Sequence, residues 1–356
     1  MESKKYSPGK RFLLYTTSWL VVLLVMIALG EAVFRTMVFF RSRQYPTYTT
    51  TSDPELGSRA IENFVWKGSV NDVDDHPYEL NFSTDDRGFR MFGNPNTTKK
   101  KVLFIGDSFT HAIEVSNDKT FYGLVADSLD IEVFAYGCRG YNTLQEWLLL
   151  EKYLPIIKPD LVVLQFCSND FINNHYELES HSLYNNNRRY RPYLQADDSM
   201  VFRAPAKIGW QWLSDRSMFF DFIFSRSERL LDPYLLKDNA SENKITALGK
   251  GHEPFAESVQ VTERLLRRFR DTLLPEARLL VFTVDHTEPF LSELSHICYR
   301  LDIPFAGFIP NKLDERIANG ETVMALDGAH WNETGHRVAA GVLVCEIADF
   351  LPSPPE

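Results

Sequence analysis

From Lys101 onward the chain alternates short apolar runs with segments of helical spacing. The runs are KVLFIG (101–106), IEVFAYG (131–137), DLVVLQFC (160–167), RLLVFTV (278–284) and IPFAGF (303–308). Each has the length of a strand, and unbroken apolar runs of this kind suit strands buried on both faces. Between them, apolar residues recur with helical spacing. One set is Leu144, Trp147, Leu148 and Leu150 to Leu154; a second is Val259, Val261, Leu265, Leu266 and Phe269; a third is Val338, Leu343, Ile347 and Phe350. This alternation predicts an α/β fold: a three-layer α/β/α sandwich around a parallel five-stranded sheet. Right-handed crossovers then gather the strand C-termini along one edge, where ligands bind in open sheets.

The residues at those strand ends are the ones that matter chemically. Gly106-Asp107-Ser108-Phe109 follows the first run, and a serine there stands at the sheet edge with Gly106 allowing a sharp turn. Gly137-Cys138-Arg139-Gly140-Tyr141 follows the second. Its glycines permit close backbone approach and can offer an N–H to a developing oxyanion. Ser168-Asn169-Asp170 follows the third, and an asparagine amide can donate to the same oxyanion. Asp327-Gly328-Ala329-His330-Trp331-Asn332 precedes the last helical segment. A histidine can serve a nucleophilic serine as general base, and an aspartate three residues away can hold its tautomer. Read singly, each of these is a turn, a helix cap or a surface pair. Read together, they arrive in order at matching places.

That order resembles the SGNH hydrolase superfamily, also called GDSL esterases, over roughly residues 101–350. The resemblance implies a flavodoxin-like sheet and a serine esterase without metal or organic cofactor. It makes Ser108, Asp327 and His330 the catalytic residues, and Ser108, Gly140 and Asn169 the oxyanion donors. Asp85-Asp86-Arg87-Gly88-Phe89-Arg90 is similar to a segment preceding the catalytic domain in membrane-tethered relatives. Cys167-Ser168 stands where the third block usually opens with glycine, and Ala135 near where the second usually carries asparagine. The His330-Trp331-Asn332 run resembles tethered relatives that add or remove O-acetyl groups on extracytoplasmic polysaccharides. The expected substrate is therefore a small acyl ester, an acetyl group above all, on a carbohydrate, with Tyr141 and Trp331 as rings on which a sugar can stack. A lipase or phospholipase-type esterase is the alternative enzyme, and a catalytically idle sugar-binding envelope protein is the alternative outside enzymes.

The remaining chain frames this domain. Residues 1–11 are a short basic segment, and Phe12 to Gly30 are apolar or small over a length that crosses a hydrocarbon core as a helix. Lys4, Lys5, Lys10 and Arg11 before it favour a cytoplasmic N-terminus. An uncleaved anchor is preferred on length over a signal peptide cut near Ala28-Leu29-Gly30. Either way the rest is exported, to the bacterial periplasm or the cell exterior. Residues 31–60 read as a linker and 61–100 as a cap of strands and loops. The main domain is 101–352, with 171–257 inserted. In that insertion RPYLQADDSMVF predicts a hairpin, and the aromatic segment 207–236 predicts a helical lid on the main domain or a membrane-surface contact. The net charge of −10, with many early acidic residues, argues against a nucleic-acid partner. Cys138, Cys167, Cys298 and Cys345 form no CxxC pair, so neither a zinc site nor a disulfide scaffold is indicated, and free thiols compete with one or two bridges.

Overall fold

The computed structural model describes residues 7–185, 189–204, 213 and 216–351. They divide into two compact units: residues 44–207 with 236–356, and residues 1–43 with 208–235.

The first unit is built on a six-stranded sheet. Its strands, in spatial order, are Phe305–Ala306, Arg278–Thr283, Leu161–Phe166, Lys100–Gly106, Ile131–Gly137 and Met91–Phe92. The first five run parallel, at the five places where the sequence predicts strands. The sixth is an addition, a two-residue strand antiparallel to Ile131–Gly137, with Met91 opposite Ala135. Two residues carry no periodicity, so this edge strand has no signature of its own.

Side chains alternate across the sheet, and that alternation makes the sandwich. Leu103 and Ile105, with Phe134, Tyr136, Val162 and Leu164, face one core, together with Leu149 and Leu150 of helix Thr143–Ile157 and Leu266 and Phe269 of helix Glu253–Thr272. Val102 and Phe104, with Val133, Val163, Leu280 and Phe282, face the other, together with Leu343 and Ile347 of helix Glu333–Phe350. In chain order the parallel strands lie 2-1-3-4-5. The winding direction therefore reverses between Lys100–Gly106 and Leu161–Phe166, and open sheets bind ligands at the carboxyl ends of such a switch point.

Three hairpins decorate the sheet unit: Thr50–Asp53 with Gly57–Ala60, Val65–Asn71 with Pro77–Ser83, and the predicted Arg191–Leu194 with Met200–Arg203. The second packs Trp66, Val70, Leu80 and Phe82 around Ile113, in the loop that follows the nucleophile turn. All four cysteines are unpaired.

One expectation is corrected along the N-terminal part of the chain. The linker expected over 31–60 is helix as far as Gln44, and residues 50–60 form the first hairpin. The helix Pro8–Gln44 continues because apolar residues resume after Glu31 and no proline intervenes before Pro46, while Arg35 Nε pairs with Glu31 at 2.7 Å one turn back. Its 37 residues make about 55 Å of helix, against about 30 Å of hydrocarbon core. It has no buried residue, and by length and composition it can cross a membrane as a signal anchor or signal sequence.

The aromatic segment expected over 207–236 is described in part. Residues 207–212, 214 and 215 of that segment lie outside the described residues. The described part, helix Met218–Leu235, joins the N-terminal helix in one unit. Phe34 meets Phe219 and Phe222 at ring distances of 6.0 and 4.3 Å. Glu31 Oε2 accepts from Ser217 Oγ at 2.7 Å and from Phe219 N at 3.1 Å, so a carboxylate sits at the positive end of that helix. Gly30 lies against the Phe219 ring, where a β-carbon would clash.

Candidate active site

The turn that carries Ser108 is held from inside the sheet. Gln165 is the only polar residue of its strand. Its Oε1 accepts from Asp107 N at 3.0 Å, Thr110 N at 3.2 Å and Thr110 Oγ1 at 3.1 Å. A β-carbon on Gly106 would strike that oxygen and the Thr110 hydroxyl. Asp107 caps the short helix Ser108–His111 by accepting from Phe109 N at 3.0 Å. Ser108 is thus the first helical residue rather than the cap, and its side chain stands at the sheet edge, partly exposed.

The last loop brings Asp327 and His330 to it. Asp327 Oδ1 accepts from the backbone N–H of Ala329 and of His330, each at 3.0 Å. Its other oxygen meets His330 Nδ1 at 2.5 Å. The opposite ring nitrogen, Nε2, lies 2.8 Å from Ser108 Oγ. The three-residue spacing works because one carboxylate both closes the loop and holds the ring. Gly328, at φ 68°, makes the turn between them.

Tyr141 and Trp331 are placed elsewhere, which corrects the expectation of sugar stacking. Tyr141 is fully buried and donates its hydroxyl to the Ser58 carbonyl at 2.8 Å. Trp331 is 1 % exposed and packs edge-on against Phe109, ring centroids 5.0 Å apart. Phe109 in turn backs His330 at 5.0 Å. Each aromatic fills the layer beneath a functional neighbour and leaves no face for a ligand.

The candidate oxyanion donors differ in readiness. The backbone N–H groups of Ser108 and Gly140 make no hydrogen bond among the described residues. Gly140 adopts φ 73°, a left-handed conformation that glycine takes without strain. Gly137, three residues earlier, packs against His111 N and the Asp107 carbonyl, where any β-carbon would collide. Asn169 is partly committed: its Nδ2 donates to Asn173 Oδ1 at 3.2 Å and to Asp107 Oδ2 at 3.4 Å.

Two residues that no motif singled out for chemistry shape the same site. Arg90, 3 % exposed, donates to the carbonyls of His111, Ala112 and Val115 and to Asn117 Oδ1, and it stacks 4.1 Å over Phe82. Gly88, at φ 85°, turns the chain, and the buried Phe89 anchors it in the core. The Asp85–Arg90 segment therefore braces the loop behind Ser108. Glu114, in that loop, is buried with Oε1 3.7 Å from His330 Nδ1. It sits among apolar neighbours in the sequence, and nothing short of the fold brings it to the histidine.

Charge follows geometry. Burial opposes the imidazolium, yet the Glu114 carboxylate and then Asp327, by hydrogen bond and charge, outweigh it and raise His330 from 6.5 to about 9. Burial pushes Asp327 up, but the His330 contact and two backbone N–H groups more than reverse this, and its carboxyl titrates well below the usual range. Burial and the Arg90 charge hold His111 well below an ordinary histidine, so it is a neutral packing residue. Glu114, Asp327 and His330 each present a ligand atom within 4.8 Å of one another. Both ring nitrogens of His330 already face partners, Asp327 on one side and Ser108 Oγ on the other.

No protein-family model matches the sequence, and no curated protein matches it. Solved structures do resemble the chain. The crystal structure of TesA is 13% identical, covering 71% of this chain and 100% of its own, with a TM-score of 0.41. A lipase/acylhydrolase from Enterococcus faecalis is 14% identical over 72% of this chain and 100% of its own, with a TM-score of 0.40. A catalytic mutant of an acetylxylan esterase from Geobacillus stearothermophilus is 13% identical over 72% and 97%, with a TM-score of 0.38. These likenesses are remote, so the functional reading rests on the distances within the site.

Proposed function

We propose that this chain is a serine esterase of the SGNH/GDSL type, with Ser108 as nucleophile, His330 as general base and Asp327 as its orienting acid. The observation that carries this is the unbroken relay from Ser108 Oγ to His330 Nε2 at 2.8 Å and from Nδ1 to Asp327 at 2.5 Å. His330 Nε2 takes the hydroxyl proton as Ser108 Oγ attacks the ester carbonyl. The Ser108 and Gly140 N–H groups, with the Asn169 amide, meet the oxyanion; one such donor is worth about 2.7–4 kcal/mol in the barrier. The tetrahedral centre collapses as His330 returns the proton to the leaving alcohol, and an acyl-Ser108 ester remains. His330 then deprotonates water, or a sugar hydroxyl, which attacks that ester and frees Ser108.

The substrate we propose is a small acyl group, acetyl above all, on a carbohydrate outside the cytoplasm. Support comes from the likeness of the Asp327–Asn332 run to tethered relatives and from the apolar N-terminal helix. Burial of Tyr141 and Trp331 removes the aromatic argument for a sugar. The helix over residues 12–30 is proposed as the membrane anchor. Free acetate released from an acetylated glycan by the full chain, and lost in Ser108→Ala, is the expected result. A preference for long acyl chains would overturn the acetyl assignment, and acetate appearing on an added acceptor glycan would mark the protein as a transferase.

A further inference from the structure

Resting on the serine-esterase reading above, we propose that Glu114 is a positioning residue for His330: a second, buried carboxylate that stabilises the imidazolium while Asp327 orients the ring. The two acids differ in the property that governs electrostatic strength. The Asp327 side chain is 38 % exposed, whereas that of Glu114 is 2 % exposed. Solvent weakens the field of an exposed charge far more than that of a buried one at similar range. Asp327 has the hydrogen bond, at 2.5 Å; Glu114 has the low-dielectric position, at 3.7 Å from the same nitrogen. Among the described residues the ion pair with His330 is the only one Glu114 makes.

Glu114 is also held in place. Tyr78 donates its hydroxyl to the Glu114 carbonyl at 2.8 Å. Arg90 grips the carbonyls on either side, of Ala112 and Val115. Ala112 at φ 47° ends the nucleophile helix and turns the chain towards that position. The buried Arg90 and the loop it grips thus place one buried carboxylate beside His330. The other ionisable groups around the pair are Arg139, from the loop after Ile131–Gly137, Asp327, and Tyr45 and Tyr78, on which Glu114 acts. Asp107, His111 and His336 complete the set that His330 acts on. Arg139 opposes the imidazolium, while Glu114 and Asp327 support it.

An adjacent negative charge favours the charged form of histidine, so removing it lowers the pH at which His330 loses its proton. Only neutral His330 can take the serine proton. The test is the rate of fluorophosphonate labelling of the full-length protein in detergent, followed from acid to alkaline pH. For Glu114→Gln the half-maximal pH falls by about one unit. Glu114→Asp keeps the charge and stays close to wild type. Equal midpoints for Glu114→Gln and wild type would overturn the inference while leaving the esterase reading intact. So would equal displacement in Glu114→Gln and Glu114→Asp, which would mark a structural role. Absence of any label on Ser108 in the folded wild type would instead sink the esterase reading. If Glu114→Gln does not fold, Glu114→Ala takes its place in an NMR titration of the His330 ring: a midpoint below that of wild type supports the inference, and an equal midpoint overturns it.

Discussion

The sheet unit and the helical unit treat polar and apolar groups in opposite ways. In the sheet unit, polar side chains are buried and employed. Gln165 takes three donors under the nucleophile turn, Arg90 ties down the loop behind it, and Asn142 and Gln145 cap the same helix reciprocally. In the helical unit, apolar side chains such as Trp19, Leu23 and Met26 are exposed along a helix with nothing buried. A buried polar group is costly unless it is paired, and an exposed apolar stripe is costly unless something apolar covers it. The first unit pairs its buried polar groups, and the second leaves an apolar helix surface exposed. Perturbations should separate along that line.

The largest effect belongs to the nucleophile. Ser108→Ala lowers ester hydrolysis by about 10⁴-fold or more while leaving the unfolding transition in place. Asn169→Ala comes next. Loss of one oxyanion donor reduces kcat by about 10²–10³-fold, read on a short-chain aryl ester with KM little changed. Retention of full kcat would mean that the amide stays with Asp107 and Asn173 throughout turnover. pH gives a third contrast. Because the base must be neutral and His330 titrates at about 9, activity climbs through the alkaline range with its half-point well above 6.5. A plateau already reached at neutral pH would contradict this.

Arg90→Met tests the brace rather than the chemistry. It strands the buried carbonyls of His111, Ala112 and Val115, at about 1–3 kcal/mol for each unsatisfied group, and denaturant unfolding should register the loss. The smallest effect on catalysis is expected in the other unit. Deleting residues 1–43 leaves hydrolysis per folded molecule unchanged and removes the protein from the membrane fraction. A large fall in kcat would break the division between the units.

The sequence was readable where one physical signal dominates. Strands buried on both faces must be apolar throughout, so all five parallel strands stand out, LVVLQF most clearly. The triad spacing is legible because Asp327 makes local hydrogen bonds that fix its distance to His330. Long-range placement is what sequence hides. Glu114 meets His330 only because Arg90, from a segment before the first parallel strand, folds its loop back. Tyr141 and Trp331 flank functional residues, and nothing local tells that both rings turn inward. Asn332 shows the same: its side chain is a buried cap accepting from Thr334 N at 2.9 Å and Gly335 N at 3.1 Å. The helix running on to Gln44 was obscured by a proline- and threonine-rich stretch that begins just beyond it.

The central claim is that Ser108 is an activated nucleophile, and covalent capture tests it most directly. The full-length folded protein is treated with a fluorophosphonate, digested, and the modified peptide identified by mass spectrometry. The prediction is a single adduct on Ser108, abolished in Ser108→Ala and greatly slowed in His330→Ala. No adduct on folded protein, or an adduct on another serine that persists in Ser108→Ala, would contradict it.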